Sequence, residues 1–189
     1  MSVFGIVVEG PRDAAVYPAI IRKIRPEVRI VPEACGGVHA LRTKFVGWLK
    51  YFQYMQCVDK VLVIRDCDRK DPHIREAQLR DRLDKSGFRP AFPVHFYATK
   101  SMVETWLLAD LEAIREVARR RGHEPKVKEM KRPLEEIDDA KMQFEAVLSE
   151  VGLPADDKVY EEIASAAEIG VIEGRCPYFL KFREQIHAC

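Results

Sequence analysis

Acidic side chains follow two β-rich runs of the sequence at the points where those runs end. Glu9 comes directly after the apolar run 3–8, and Asp66 and Asp68 follow the run 60–65, which has the strongest strand pattern in the chain. Extended backbone around Cys67 would turn the carboxylates of Asp66 and Asp68 to the same side. Ligands of open parallel sheets bind beyond the carboxyl ends of the strands, so the three carboxylates are predicted to meet at one edge.

This group of carboxylates has the chemistry of a site for a divalent cation. Clustered carboxylates repel one another unless a cation lies among them. The ligands are all hard oxygens, and the five histidines are scattered without a partner at ligand spacing. Such a donor set favours Mg²⁺ or Mn²⁺ over zinc. A D-x-D after a strand is also typical of an ordinary turn with helix-capping aspartates, and both interpretations remain open at this point.

The elements that must position these residues alternate between strands and helices in the first half of the chain. The patterns predict strands over 3–8, 28–31, 60–65 and 94–98, and helices over about 11–25, 38–55 and 73–85. This alternation is typical of βαβ units with a parallel sheet and right-handed crossovers. We therefore expect an α/β fold with a four-stranded, mainly parallel, Rossmann-like sheet flanked by helices, in which the first and third strands are neighbours.

The second half is almost wholly helical in its pattern. Helices are predicted over 102–121, 134–151, 158–169 and 177–187, with a polar, basic and broken stretch over 122–133. Gly152 followed by Pro154 is a helix stop signal. The expected organisation is an α/β core over residues 1–110 and a helical C-terminal extension over residues 111–189 that packs on the core.

Composition sets broad limits on function. A net charge of +1 neither favours nor excludes nucleic acid, because a basic patch can lie within a neutral total. The five cysteines lack C-x-x-C spacing, which predicts reduced intracellular thiols and neither disulfides nor a zinc site. The apolar run at the N-terminus is interrupted by Glu9 and is too short for a signal peptide or a membrane span. A cytoplasmic protein without membrane contact is expected.

Two segments resemble the signature of the TOPRIM domain, in which a Glu-Gly follows the first strand and a D-x-D follows the third. They are residues 7–10 (VVEG) and 61–68 (VLVIRDCD). Residues 96–98 (FYA) and 103–110 (VETWLLAD) are similar to a family of small stand-alone bacterial TOPRIM proteins related to the OLD-family nucleases. The resemblance covers about residues 1–110 and implies a TOPRIM-like sheet.

The resemblance implies an Mg²⁺-dependent nuclease, or a related phosphodiester-cleaving enzyme, that acts on DNA or RNA. In this interpretation Glu9, Asp66 and Asp68 bind the metal. OLD-like domains often carry a second Glu four residues after the first; the corresponding residue here is Asp13, a shorter ligand for a second ion or a general base. Glu104 is a further candidate for that role, although a carboxylate in the first turn of a helix is also favoured by the helix dipole.

Other residues suit an anionic ligand. Gly36 and Gly37, at the end of the second strand, would let backbone N–H groups approach a phosphate, with a plain turn as the alternative. Lys100 and Arg65 are predicted near the same sheet edge, where they would neutralise phosphate charge. A basic tract would hold a nucleic-acid backbone or simply form a solvated helix end, and its members are Arg119, Arg120, Arg121, Lys126, Lys128, Lys131 and Arg132.

Two alternative functions remain open. One is a non-catalytic TOPRIM module that binds nucleic acid or a partner such as a separately encoded ATPase, since OLD-family proteins join a TOPRIM domain to an ATPase. The other is a haloacid-dehalogenase-like phosphatase, because an apolar strand followed by D-x-D also opens that family. Against the phosphatase, the motif follows the third strand, Lys70 stands where that family prefers Thr or Val, and Asp138 and Asp139 lie within a helical pattern.

Overall fold

The computed structural model describes residues 2–67, 70–124, 126–128, 130 and 132–188. The strands within these ranges are β1 (Val3–Val8), β2 (Arg29–Ala34), β3 (Lys60–Asp66) and β4 (Val94–Thr99). The helices are α1 (Pro11–Ile24), α2 (Val38–Tyr51), α3 (Pro72–Lys85), α4 (Glu104–Ala109), α5 (Leu111–Arg120), α6 (Ala140–Glu150), α7 (Asp157–Ala166), α8 (Ile169–Arg175) and α9 (Phe179–His187).

The four strands form one sheet in the order β2-β1-β3-β4, and every pairing is parallel. The prediction of a four-stranded parallel sheet with β1 beside β3 is confirmed. The two central strands are near-continuous apolar runs because both of their faces are covered. β2 extends beyond its predicted end and includes Pro32, which is tolerated because β2 is an edge strand.

Side chains of the sheet enter two hydrophobic clusters, one on each face. On one face Phe4, Ile6 and Ile64 pack with α1 and with the C-terminal helices as far as Ile186. On the other face the alternate residues, such as Val63, pack with α2 and α3. The C-terminal helices therefore share their core with the sheet and bury residues that belong to its strands.

The predicted helix over 102–121 is wrong, because the chain breaks at Asp110 into α4 and α5. Asp110 has φ −110° and ψ 84°, and its Oδ1 accepts hydrogen bonds from the N–H groups of Glu112 and Ala113. Its Oδ2 accepts a further bond of 2.8 Å from Glu168 N, just before α8. Asp110 is therefore an N-cap that also anchors α8, which explains why the strong helix formers around it do not form one helix.

Three other predicted helices also differ from the structure. The predicted helix over 134–151 consists of a 3₁₀ turn, Leu134–Glu136, and of α6, whose N-cap Asp139 accepts a bond from Met142 N. Asp138 and Asp139 thus precede a helix and do not lie inside one. The helix over 38–55 ends in a π-helical turn, Phe52–Gln56. The helix predicted over 158–169 corresponds to α7, which ends at Ala166, and α8 beyond it was not predicted.

No helix in the described part of the chain is both long enough and apolar enough to cross a membrane.

The three hydrogen bonds of Asp110 generate a stability prediction. Asp110→Ala leaves the partly buried N–H group of Glu168 without its partner and removes the cap of α5, so we expect a loss of about 2–3 kcal/mol in unfolding free energy. The matched control is Asp139→Ala, which removes one exposed cap bond and should destabilise by about 1 kcal/mol. Urea denaturation measures both, and equal losses would contradict the anchoring role of Asp110.

Candidate functional site

The carboxyl ends of β1 and β3 bring Glu9 and Asp66 together. Val7 pairs with Val63 in the sheet, so Glu9 and Asp66 leave the two strands at nearly the same level. Asp66 N donates a hydrogen bond of 3.3 Å to Glu9 Oε1. Arg65 Nε lies 3.8 Å from the same oxygen. The predicted meeting of these two carboxylate residues at one sheet edge is confirmed.

A cleft with a volume of about 440 Å³ opens at this edge. Five of the sequence-predicted residues line it. They are Gly37, which follows β2, and four carboxylates from different elements: Glu9 after β1, Asp13 in α1, Asp66 at the end of β3 and Glu104 at the start of α4. The elements converge because α1 and α4 both begin close to the carboxyl ends of the strands. The cleft therefore collects acidic side chains that are distant in sequence.

Three further residues complete the charged lining and were not singled out from the sequence. They are Asp157 at the start of α7, Lys141 in α6, and Arg12 in α1. Arg12 donates hydrogen bonds to Glu145 Oε1 and Tyr160 OH, both at 3.1 Å, and so ties α1 to α6 and α7. The sequence offers no local signal for these contacts, because they depend on how the C-terminal helices pack.

Asp13 has an unusual ionisation. Burial raises the pKa of its carboxyl to about 6, and the charge of Asp157 acts in the same direction. The hydrogen bond of 3.0 Å from Gly10 N to Asp13 Oδ2, together with the charges of Arg12 and Lys141, opposes this shift without cancelling it. Asp13 thus changes its protonation state close to neutral pH.

Glu104 is the most enclosed carboxylate of the cleft, with 5% of its surface exposed. Burial raises the pKa of Glu104, and the charge of Asp13 raises it further. Each of the two carboxylates therefore disfavours ionisation of the other. Beneath them the buried Tyr17 hydroxyl is 2.6 Å from Thr99 Oγ1, and burial, followed by the charges of Asp66 and Asp13, raises the pKa of Tyr17 well above its ordinary value.

Of the predicted anion-binding residues, Gly37 lies in the lining of the cleft, whereas Gly36 and Lys100 do not. The N–H groups of Gly36 and Gly37 both donate to Glu9 O, at 2.9 and 2.7 Å, so these amides fasten the end of β2 to the end of β1. Lys100 lies 3.7 Å from Glu135 Oε2, beside a neighbouring cavity. Asp68 lies outside the described residues, and its predicted role as a ligand stays a prediction.

The basic tract on α5 makes ion pairs with acidic residues of this chain. Arg119 pairs with Glu112 at 2.5 Å, Arg120 pairs with Glu116, and Arg121 pairs with Glu162 at 2.9 Å. Lys131 lies outside the described residues. For the three arginines the structure favours the alternative of a solvated helix end over a free cationic surface.

The donor set of the cleft suits a hard divalent cation in kind, because its anionic groups are all carboxylates and it contains no His or Cys side chain among the described residues. The raised pKa values of Asp13 and Glu104 reflect buried, mutually repelling carboxylates, whose ionised forms a cation would stabilise. Within the described ranges, no group of three or more His, Cys, Asp or Glu side chains is arranged so that it could hold a metal ion. The predicted set also includes Asp68.

No protein-family model matches the chain, and a search of curated proteins finds no match. Among solved structures, the chain is similar to the C-terminal region of the Burkholderia pseudomallei OLD protein, with a TM-score of 0.48 and 14% sequence identity. The likeness covers 97% of this chain and 98% of that chain.

The raised pKa of Asp13 makes stability depend on pH. In the folded chain the pKa is about 6 and its ordinary value is 3.8, so the folded state binds more protons between these values and stability falls as pH rises through them. Asp13→Asn retains an oxygen acceptor for Gly10 N and removes the buried charge. We expect the variant to be more stable than the wild type at pH 7 by about 1–3 kcal/mol, with the difference disappearing below about pH 4.

Glu112→Gln is the control of opposite sign. The hydrogen bonds and charges of Arg119 and Arg115 lower the pKa of Glu112, so its contribution to stability is present at neutral pH and is lost on acidification. Chemical denaturation from pH 3 to pH 8 compares both variants with the wild type. An Asp13→Asn variant with the same advantage at every pH would show that Asp13 does not titrate as described.

Proposed function

We propose that the chain is a metal-dependent phosphodiester hydrolase that acts on nucleic acid. The observation that supports this most directly is the gathering of Glu9, Asp13, Asp66 and Glu104 in one cleft at the carboxyl edge of a parallel sheet. Carboxylates with perturbed pKa values in a cleft are characteristic of functional sites. A stable fold alone does not require them there, since like charges in a poorly solvated cleft oppose folding.

Glu9 and Asp66, with Asp13 and Asp68, are the residues that would hold Mg²⁺ or Mn²⁺. When bound there, the cation would polarise a phosphoryl oxygen and lower the pKa of a coordinated water. The protein would fix the positions of these carboxylates through the backbone: Asp66 N donates to Glu9 Oε1, and Gly10 N donates to Asp13 Oδ2.

Asp13 and Glu104 are proposed to move protons, and for Asp13 this role excludes that of a metal ligand, because a bound cation would lower its pKa. A carboxyl with a pKa of about 6 accepts a proton from water and releases one again near neutral pH, as a general base requires. Glu104, whose pKa is raised by burial, would hold a proton for the leaving oxygen. Lys141, exposed at the cleft, would attract the phosphate.

A second candidate function is a non-catalytic module that binds nucleic acid or a partner ATPase. It is favoured by the hydrogen bonds that occupy the carboxylates, since Glu9 accepts from Asp66 N and Asp13 caps the start of α1. In that case these residues would be structural, and the chain alone would bind without turnover.

The experiment compares cleavage and thermal stability with and without Mn²⁺ for the wild type, Glu9→Gln and Asp66→Asn. Both amide variants keep the size of the side chain, and Glu9→Gln keeps an oxygen acceptor for Asp66 N. We expect them to melt at or slightly above the wild-type temperature without metal, and to lose cleavage of DNA or RNA. They should also lose the stabilisation by Mn²⁺, which for the wild type amounts to about 2.7 kcal/mol at a hundredfold excess over the dissociation constant.

Asp84→Asn is the matched control, because it removes an exposed carboxylate of α3 that does not line the cleft. It should cleave and respond to Mn²⁺ as the wild type does. A wild-type protein that neither cleaves nucleic acid nor changes its melting temperature in millimolar Mn²⁺ would rule out the hydrolase and leave the non-catalytic module as the better account.

A further inference from the structure

A second polar depression lies on the opposite face of β3, between α2 and α3. This α2–α3 groove has a volume of about 560 Å³ and includes Arg42 of α2 with Arg82 and Lys85 of α3. Among the described residues, the one carboxylate in its lining is Asp81, which pairs with Lys85 at 2.7 Å. The groove is therefore strongly cationic although the chain as a whole has a net charge of +1.

The floor of the groove connects it to the acidic cleft. Arg65 at the end of β3 lines the groove and is 1% exposed. Its Nε lies 3.8 Å from Glu9 Oε1 and donates to Asp66 O at 3.3 Å. Successive residues of a strand project to opposite faces, which places Arg65 beside α2 and α3 while Asp66 lines the cleft. The cationic groove and the acidic cleft thus meet at the carboxyl end of one strand.

Two cations of the groove, Arg42 and Arg82, are more available to an anion than the arginines of the basic tract at the end of α5, although Lys85 is paired with Asp81. Arg119, Arg120 and Arg121 are each paired with a glutamate of this chain, and a phosphate would have to displace it. Arg42 and Arg82 are exposed and make no ion pair with any described residue. Arginine presents several N–H donors in one plane and binds phosphate oxygens through two of them.

We propose that the α2–α3 groove binds the phosphodiester backbone of a nucleic acid strand and leads it to the sheet edge where Glu9 and Asp66 lie. Cleavage of the bound strand rests on the hydrolase activity proposed above, whereas binding in the groove needs no metal. Free phosphate groups share the recognised chemistry, so the experiment must separate a strand from inorganic phosphate.

The test measures binding of a fluorescent oligonucleotide by anisotropy in EDTA over a range of salt concentrations. The groove variant combines Arg42→Ala, Arg82→Ala and Lys85→Ala, all at exposed positions. We expect at least roughly tenfold weaker binding at low salt and a fall of about 2 in the slope of log affinity against log salt, since each phosphate contact contributes about 0.7–0.9. Circular dichroism verifies that the variant is folded.

The matched control combines Arg119→Ala, Arg120→Ala and Arg121→Ala, which removes the same number of cations from α5 and its C-terminal end. It should change affinity less than about twofold and leave the salt slope nearly intact. Unchanged binding by the groove variant, or a larger loss in the control, would overturn the assignment of the groove. Displacement of the oligonucleotide by inorganic phosphate at an equal concentration of phosphate groups would reveal a site for free phosphate. That result would contradict the assignment of a nucleic acid strand as the ligand.

The two proposals fail in different ways. If the groove variant loses binding and the wild type shows no Mn²⁺-dependent cleavage, the result supports nucleic acid binding in the groove and contradicts the proposed hydrolase activity. If the wild type cleaves in a metal-dependent manner and the groove variant binds normally, the result contradicts binding in the groove and supports the hydrolase activity. Competition by polyglutamate at an equal concentration of charge would point to an acidic protein partner and would likewise contradict a nucleic acid strand.

Discussion

The parallel pairing of β1 with β3 is the constraint on which the rest of the site depends. Because Val7 stands opposite Val63, Glu9 and Asp66 leave the sheet side by side and are joined by a hydrogen bond from Asp66 N to Glu9 Oε1. A shift of one residue in this pairing would turn the side chains of β3 to the other face and exchange Asp66 for Arg65 in the cleft. The apolar side chains of both strands oppose such a shift, since they fit two separate hydrophobic clusters.

The ionised carboxylates of Asp13 and Glu104 are subject to both favourable and unfavourable interactions in the cleft. Helix dipoles favour carboxylates at the starts of α1 and α4, where Asp13 and Glu104 lie. Burial opposes their ionisation, and for Asp13 it outweighs the hydrogen bond from Gly10 N and the nearby cations. The fold therefore positions these acids, but its hydrogen bonds and nearby cations do not fully offset the cost of their burial and mutual repulsion. Such a balance suits proton transfer or cation binding better than it suits stability.

The sequence was a good guide where local pattern and topology act together. The apolar run before Asp66 and the position of Glu9 after β1 were enough to predict a shared sheet edge, because strand type and connection rules decide it. The C-terminal helices were predicted less well. The segment around Asp110 favours helix on both sides, and its break depends partly on a hydrogen bond with Glu168, which is 58 residues away along the chain. Asp157 and Lys141 enter the cleft only through such tertiary packing.

The charges at the end of β3 were predicted only in part, because Arg65 and Asp66 were expected at the same sheet edge and their separation onto two faces was not. Arg65 and Asp66 are neighbours in the chain, yet the pleat of the strand assigns them to opposite faces, one to the α2–α3 groove and one to the cleft. Arg65 is near Glu9 as well, so its positive charge acts on both sides. If the groove and the cleft are used as proposed, the negative charge of an anion in the groove offsets the positive charge of Arg65. Glu9 then has a weaker interaction with Arg65 and becomes a better ligand for a cation. Because linkage is reciprocal, a cation at Glu9 must strengthen binding of the anion by the same factor. Two ligands of opposite charge on opposite faces of one strand would then assist each other through a single buried side chain.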